Sequence, residues 1–451
     1  MAAEPQTIAA LAYALKNREA TSIAVTEACL TAIAEKNPSL NAFITVFAEE
    51  ARTQARAADA EIAAGRHRGA LHGVPISLKD LIDVAGFPTT AASRVREGHV
   101  AATDALATAR LRAAGAVLVG KTNLHEFAFG TTNEESAFGP ARHPLDPSLS
   151  PGGSSGGSAV SVAAEMAYAS IGTDTGGSIR IPSALCGLVG LKPTLGEIPT
   201  TGVVPLSTTM DHLGPLCRSA EDAQLIYDVL RGTEAVERGT PPAPERLCVG
   251  VLRDYFTSPL DPEVASQFDY ACARLRDAGV QLRDVRIPHA GDIAPVYLHI
   301  VLAEAAAYHA KTLESRADHY TPGVRLRLEM GRCILAEDYV RALRGRALLT
   351  HEVDEALKEC DALLLPSVPL PAFKIGTTSV RLAGSEESIR NITLRLTQLF
   401  DITGHPAISI PCGATAQGLP VGAQLVGRSG LTTSLLDLAR GLEPPLRGEA
   451  Y

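Results

Sequence analysis

The amino-acid sequence predicts an α/β protein whose central sheet, parallel or mixed, is covered by helices. From residue 73 onward, short apolar runs of strand length alternate with helical stretches. These runs lack polar alternation, which indicates strands covered on both faces. Such an alternating order of strands and helices is typical of helix-covered sheets. With 451 residues, of which 46% are hydrophobic, the chain can build one large core.

Helices are predicted at the N-terminus, over about residues 7–64. Thr7 and either Thr21 or Ser22 are candidate N-caps, because their hydroxyls can accept backbone N–H groups at a helix start. Apolar residues recur at helical spacing after each of them. The elements predicted next are strands at 74–78, 116–119, 167–171 and 188–191 and helices at 105–114 and 155–165.

The C-terminal half is predicted to return to the sheet after a helical region. Residues 233–246, rich in Pro, Glu and Arg, predict a surface linker, and a mostly helical, charged stretch occupies 262–358. The remaining predicted strands are 247–252, 362–365, 407–410 and 421–426. We therefore expect one domain over residues 1–451, made of a helical part at 1–68, a core at 70–232, a helical insertion at 255–358 and C-terminal strands at 360–430.

Composition argues against several classes of protein. The net charge of −9 disfavours a nucleic-acid-binding surface, because phosphate contacts require clustered Lys and Arg. Residues 1–6 lack a secretion signal, and no run approaches the roughly 18 apolar residues of a membrane helix. The eight cysteines form no CxxC pair, so neither a zinc site nor a redox motif is indicated. We expect a cytoplasmic protein with reduced thiols.

Two sequence patterns match well-known motifs but have the wrong flanking elements. Residues 115–122 match the phosphate-binding pattern GxxxxGK(S/T), yet the middle residues are themselves a predicted strand and a helix comes before them. A non-catalytic nucleotide-binding protein is therefore a remote alternative. Residues 152–156 match GxSxG, but a nucleophile elbow needs a preceding strand, and residues 143–151 contain three prolines. His405 lies in a predicted strand-entry turn, which disfavours a Ser-His-acid triad.

A third pattern places polar residues from three segments at one edge of the sheet. The glycine-rich loops 152–157 and 172–180 are separated by one helix and one strand. About 12 helical residues rise about 18 Å, and about 6 strand residues return about 20 Å. Ser154 and Ser178 therefore meet at the same edge. Lys79 directly follows the strand at 74–78. If these strands are parallel, it reaches the same edge, where open α/β sheets bind ligands.

These segments resemble the amidase signature family. The matching segments are 72–80, 120–123, 151–159, 172–180 and 187–193, with weaker matches at 404–411 and 418–422. The resemblance implies a single α/β/α domain around a large mixed sheet. It also implies Ser178 as the nucleophile, Ser154 as a proton relay joined to Gly153 by a cis peptide, and Lys79 as the base. The oxyanion hole would be the backbone N–H groups of Thr175, Gly176, Gly177 and Ser178.

The reaction that the resemblance implies needs neither metal nor cofactor. Lys79 must be neutral to act as a base, and burial lowers a lysine pKa. Ser155, Asp174 and Arg180 are expected to support the loops, with Arg180 paired to Asp174 or to Asp211. The acyl pocket is expected around Phe127, Gly130 and Thr131.

The resemblance leaves two substrates open. One is a small linear carboxamide cleaved by a stand-alone amidase. The other is glutamine, cleaved by the glutamine-hydrolysing subunit of a tRNA-dependent amidotransferase, which segments 137–140 and 172–174 also resemble. Those subunits place an acidic residue soon after the strand that here is 421–426, and residues 427–433 contain none. The stand-alone enzyme is therefore favoured, with a small-molecule partner, no nucleic acid and no membrane; a homodimer is left open.

Overall fold

A computed structural model describes residues 6–232 and 240–448, and its centre is an eleven-stranded sheet. The described residues form thirteen strands, of which eleven belong to this sheet: β1 Phe43–Val46, β2 Pro75–Lys79, β3 Val117–Thr122, β4 Ala169–Asp174, β5 Val189–Lys192, β6 His212–Cys217, β7 Cys248–Leu252, β8 Gln281–Val285, β9 Ala362–Pro366, β10 Ser379–Leu382, β11 Ser385–Ser388, β12 Ala407–Ala414 and β13 Pro420–Val426. Their order in the sheet is β1-β3-β2-β4-β6-β5-β12-β13-β9-β7-β8, and β10 and β11 form a separate hairpin.

Fourteen helices surround this sheet in the described part of the chain. They are α1 Ile8–Lys16, α2 Ser22–Leu40, α3 Ala48–Ala63, α4 Leu106–Ala113, α5 Gly156–Ala163, α6 Arg180–Leu185, α7 Ala220–Arg231, α8 Pro262–Asp277, α9 Ile293–Arg316, α10 Pro322–Gly331, α11 Ala336–Ala356, α12 Ile389–Leu394, α13 Gln398–Ile402 and α14 Thr432–Arg447. Thr7 and Thr21 both cap helices, since each hydroxyl accepts a backbone N–H three residues on. The predicted caps are thus confirmed at Thr7 and Thr21.

The sheet is mixed, as the sequence predicts. Strands β2, β3 and β4 are mutually parallel, whereas β6, β5, β12 and β13 pair antiparallel. All five residues of β2 and all six of β4 are buried, in line with strands covered on both faces. Because β2 and β4 are parallel and in contact, Lys79 and Asp174 end at the same edge of the sheet.

Three strands of the sheet were not predicted from the sequence. β1 lies within the region expected to be wholly helical, and β6 contains Gly214 and Pro215, which disfavour a strand assignment. β8 lies within the stretch expected to be mostly helical. It is the last strand of the sheet, and three of its five residues are exposed, so it lacks an apolar pattern. Helix α8 connects β7 to β8, which pair in parallel.

Two expectations concern segments that the structure describes only in part. Residues 1–5 lie outside the described residues, and they make up most of the segment predicted to lack a secretion signal. Residues 233–239, half of the predicted linker, also lie outside them. The remaining linker residues, 240–246, are exposed or half-buried and lead directly into β7.

The segment Ala290–His319, which contains α9, is long and apolar enough to cross a membrane by length and composition. It is half buried, and α9 packs against α10, α11 and α13.

Candidate active site

Lys79 is the last residue of β2, and its side chain is fully buried. Its Nζ donates hydrogen bonds to Ser154 Oγ at 2.7 Å and to Thr173 Oγ1 at 2.8 Å. The neighbouring Asp80 pairs instead with Lys121, at 2.9 Å. Lys79 therefore has hydroxyl partners and no carboxylate partner among the described residues.

This environment changes the acidity of Lys79. Burial lowers the pKa of Lys79 to about 7, although the negative charges of Asp174 and Asp211 oppose the shift. Removing the ammonium group from water disfavours its charged form, and two neutral hydroxyls replace little of that hydration. Near pH 7, a substantial fraction of the Lys79 amine is therefore neutral and able to accept a proton.

The loop before α5 holds Ser154 next to Lys79. The peptide bond between Gly153 and Ser154 is cis. The Ser154 carbonyl accepts a hydrogen bond from the His125 backbone N–H at 3.0 Å. Ser155 joins this loop to the next one, because its N–H donates to the Ser178 carbonyl at 3.2 Å and its Oγ donates to the Thr173 carbonyl at 3.2 Å. Ser155, which is expected to support these loops, therefore links the loop of Ser154 to the loop of Ser178.

The loop after β4 places Ser178 beside this pair of residues. Ser178 is 5% exposed, and no hydrogen bond joins its hydroxyl to that of Ser154 or to another described residue. The Asp174 carboxylate accepts hydrogen bonds from Gly177 N at 2.6 Å and Ile179 N at 3.1 Å. The expected oxyanion hole therefore needs a correction: the Gly177 N–H is already bound to Asp174, which leaves the N–H groups of Thr175, Gly176 and Ser178.

Arg180 lies at the centre of a buried ion-pair network behind this loop. Its guanidinium donates to Asp174 at 2.9 and 3.0 Å and to Asp401 at 2.5 Å, and it also contacts Gln424 Oε1 at 3.1 Å. Asp174 is one of the two partners expected for Arg180. The other expected partner, Asp211, does not pair with Arg180. Its carboxylate instead accepts hydrogen bonds from Thr175 Oγ1 at 2.6 Å and from two backbone N–H groups.

The two carboxylates that share Arg180 differ in acidity. Burial alone would raise the pKa of Asp174, but the adjacent Arg180 holds it well below its usual range. Burial and the negative charge of Asp174 raise the pKa of Asp401 well above its usual range. Two carboxylates this close do not both ionise easily. The two carboxylates therefore share one guanidinium, and their pKa values are shifted in opposite directions.

The segment expected to form the acyl pocket lies against the Ser154 loop. A Cβ at Gly153 would lie 3.1 Å from the Thr131 carbonyl carbon, so the two backbones are in direct contact. Thr131 Oγ1 accepts a hydrogen bond from Thr393 at 2.9 Å. Gly130 packs on the His125 ring. Phe127 is buried, and the centroid of its ring lies 4.3 Å from the centroid of the His309 ring.

Comparison with known proteins agrees with this geometry. The model of the Amidase family matches residues 24–436 of the chain. An amidase from Pseudomonas putida is 40% identical over 92% of this chain and 90% of its own. The chain belongs to the amidase signature family. It is also 39% identical, over 92% of its length and 91% of the relative's, to a subunit of the glutamyl-tRNA(Gln) amidotransferase from Roseiflexus sp. (strain RS-1). A crystal structure of an amidase superposes with a TM-score of 0.91 at 38% identity, covering 98% of this chain and all of that one.

The protein is thus an amidase-family hydrolase acting on amides, and its structure explains why the two competing motifs are coincidental. Helix α4 precedes Gly115, and Val117–Thr122 is β3, so the backbone N–H groups of the phosphate-loop pattern serve the sheet. No strand precedes Ser154, because residues 143–155 form turns and irregular backbone. Neither pattern has the context that its own chemistry needs.

Several residues around the site of this amidase-family protein were missed by sequence reasoning. Thr173 binds Lys79, and it stood in the matched 172–180 segment, so its motif was a usable signal. Asp401 lies 221 residues from Arg180 and carries no local signal. Tyr297 lies on α9, yet its hydroxyl borders Gly176, where a Cβ would collide with it. These contacts exist only in the folded chain.

Proposed function

We propose that the protein hydrolyses a carboxamide through a Ser178 acyl-enzyme, with Ser154 as proton relay and Lys79 as base. One observation carries the proposal: a fully buried lysine with a pKa near 7 donates to Ser154, in the loop bonded to the Ser178 backbone. A general base works best when its pKa lies near the working pH. Lys79 meets that requirement through burial alone.

The chemistry proceeds in two balanced halves. Ser178 Oγ attacks the carbonyl carbon while its proton passes to Ser154 Oγ, and the Ser154 proton passes to the neutral Lys79 amine. The proton then returns through Ser154 to the leaving nitrogen, the C–N bond breaks, and an ester of Ser178 remains. Water attacks this ester and restores the Ser178 hydroxyl. The Ser178 hydroxyl must turn toward Ser154 when substrate arrives, as catalytic hydrogen bonds often tighten only in the Michaelis complex.

The backbone of the Ser178 loop would stabilise the negative charge that develops on the carbonyl oxygen. Thr175, Gly176 and Ser178 keep N–H groups that Asp174 does not occupy. The Asp174 contacts to Gly177 and Ile179 hold the loop in place, so these donors need no reorganisation during the reaction. Loss of one such donor typically costs about 3 kcal/mol of transition-state stabilisation.

Replacement of the nucleophile tests this proposal. Ser178→Ala should reduce turnover to the background rate while the unfolding midpoint stays close to that of the wild type. Ser161→Ala is the matched control, since Ser161 is also a buried serine, on α5, bonded to Ser77 at 2.9 Å. A fluorophosphonate should label Ser178, identified by mass spectrometry. Labelling at Ser154 or Ser155, or normal turnover by Ser178→Ala, would contradict the assignment.

We further propose that the enzyme acts alone on a linear amide. Residues 427–433 contain no acid that could hold the α-amine of glutamine. Instead, the Arg428 guanidinium donates to the Leu357 and Cys360 carbonyls, at 3.0 Å each. The glutamine-hydrolysing subunit of an amidotransferase stays the second candidate because of the 39% identical relative. Ammonia release from simple amides but not from glutamine, by the purified protein alone, is expected; the reverse preference would favour the second candidate.

A further inference from the structure

Two guanidinium groups lie beside the ring of Phe129, in the segment that adjoins the Ser154 loop. The Arg327 Cζ is 5.4 Å from the ring centroid and the Arg390 Cζ is 6.0 Å from it. Arg327 has a carboxylate partner, because its Nη2 donates to Glu135 at 2.6 Å. The same carboxylate also contacts His125 at 3.0 Å. Glu135 is therefore already bound by Arg327 and His125.

Arg390 has no anionic partner in this arrangement. Its guanidinium forms no hydrogen bond or ion pair with any residue in the described ranges 6–232 and 240–448. Its Nε is buried without an acceptor. Burial and the nearby charge of Arg327 lower the pKa of Arg390 to about 10, so it stays protonated at neutral pH. Arg390 is half-buried, and a guanidinium with a buried, unpaired Nε is stabilised when an anion binds it.

The position of Arg390 connects this charge to the catalytic loop. Arg390 lies on α12, which Thr393 ties to Thr131. Just beyond α12, Thr397 Oγ1 donates to the Gly176 carbonyl at 2.5 Å.

Tyr297 lies against the loop of Ser178 and within electrostatic reach of Arg390. Its hydroxyl lies against Gly176, two residues before Ser178. Burial raises the pKa of Tyr297, and the charge of Arg390 is the largest effect that opposes this shift. Arg390 therefore lies within electrostatic reach of a residue that contacts the Ser178 loop.

We infer that the amide substrate carries a carboxylate and that Arg390 binds this group, with Phe129 and Tyr297 beside it. This inference rests on the proposed function, whose substrate class it narrows. A guanidinium matches a carboxylate in a planar, two-point contact that an ammonium cannot reproduce. Arg327 is already neutralised by Glu135, so Arg390 supplies the unbalanced charge.

The test compares substrates that differ only in charge. Monoamides of straight-chain dicarboxylic acids of increasing length are paired with neutral alkyl amides of equal length, and kcat/KM is measured for each. The wild type should prefer one acidic monoamide over its neutral counterpart. In Arg390→Gln this preference should fall by about 10- to 100-fold, as expected for a lost hydrogen-bonded charge pair, while the neutral amide is little affected. Arg390→Lys should restore only part of it.

A control variant removes a nearby charge that has a partner. Arg325, on α10, is exposed enough to ion-pair with Glu329 at 2.7 Å on the protein surface. Arg325→Gln should leave the preference for the acidic amide unchanged. Equal losses in Arg325→Gln and Arg390→Gln would indicate a general field effect and overturn the specific role of Arg390.

Binding measurements separate this inference from the proposed mechanism. The preferred monoamide is titrated calorimetrically into Ser178→Ala and into Ser178→Ala with Arg390→Gln. Binding to the first protein and its loss in the second support the inference even without turnover. If Arg390→Gln fails to fold, competition of short monocarboxylates with a neutral amide substrate in the wild type gives the answer. Wild-type enzyme that is labelled at Ser178 but shows neither acidic preference nor carboxylate inhibition overturns the inference alone.

Discussion

Replacing Lys79 by methionine should separate two effects of the buried amine: the free energy that its burial costs in folding, and its contribution to catalysis. Methionine has a similar length and no titrating group, so the variant removes the amine that binds Ser154 and Thr173. In the wild type, Lys79 is protonated in the unfolded chain up to pH 10.5 but in the folded chain only up to about pH 7. Between these values the unfolded state binds more protons, so Lys79 makes the wild type more stable as pH rises.

The size of the effect follows from the pKa difference. A shift from 10.5 to about 7 corresponds to about 5 kcal/mol, at about 1.4 kcal/mol for each pKa unit. This cost is fully present below pH 7 and disappears above pH 10.5. Burial also lowers the pKa of Lys192 to about 7. The contribution of Lys192 to the pH dependence of stability is the same in both proteins and therefore cancels in the comparison. Relative to the wild type, Lys79→Met should therefore gain about 2 kcal/mol of stability on going from pH 9 to pH 7.

Urea unfolding of both proteins at several pH values between 6 and 9 measures this difference. Catalysis provides the second readout. In the wild type kcat/KM should rise with pH and level off above about pH 7, whereas Lys79→Met should lose a factor of about 10³ or more at every pH. A stability difference that does not vary between pH 6 and 9 would mean that folding does not expel the Lys79 proton. The assignment of Lys79 as the base would then lose its physical support.

Three further predictions concern the carboxylates bound to Arg180, the contact of Gly176 with Tyr297, and the cysteine thiols. Asp174→Asn should cost about 3–5 kcal/mol in urea unfolding at pH 7, because Arg180 favours the charged form of Asp174 and lowers its pKa. Asp401→Asn should cost less, about 1 kcal/mol, because burial raises the pKa of Asp401 and disfavours its charged form; equal losses would contradict this difference. Gly176→Ala should lower kcat/KM about 100-fold by displacing the loop, and Tyr297→Phe should partly rescue it; normal activity of Gly176→Ala alone would show that the loop tolerates a Cβ. A bulky thiol reagent should modify Cys333 first in the native protein, since the other seven cysteines are buried or half-buried, and peptide mapping would reveal a different site.

The sequence by itself determined the chemical grouping of the site. Lys79, Ser154 and Ser178 each lie at or within a few residues of the end of a regular element. Element lengths therefore predict that the two serines meet, and parallel strands bring Lys79 to the same edge. Local spacing also argued against the phosphate loop, because the apolar run at 116–119 predicts a strand, and the structure has β3 there. Short-range patterns of this kind predict the N-caps and the strands, since both depend on neighbours in the chain.

Only the tertiary structure decided which donors are free and which charges are balanced. It assigned the Gly177 N–H to Asp174 and paired Arg180 with Asp401, 221 residues away. It also showed that Arg390, which lies beside the Phe129 ring together with Arg327, has no carboxylate partner among the described residues. Hydrogen-bond satisfaction and burial depend on groups brought together from distant parts of the chain. The residues of the candidate site could therefore be predicted from the order of residues, whereas the pKa of Lys79 and the unpaired charge of Arg390 depend on what surrounds them.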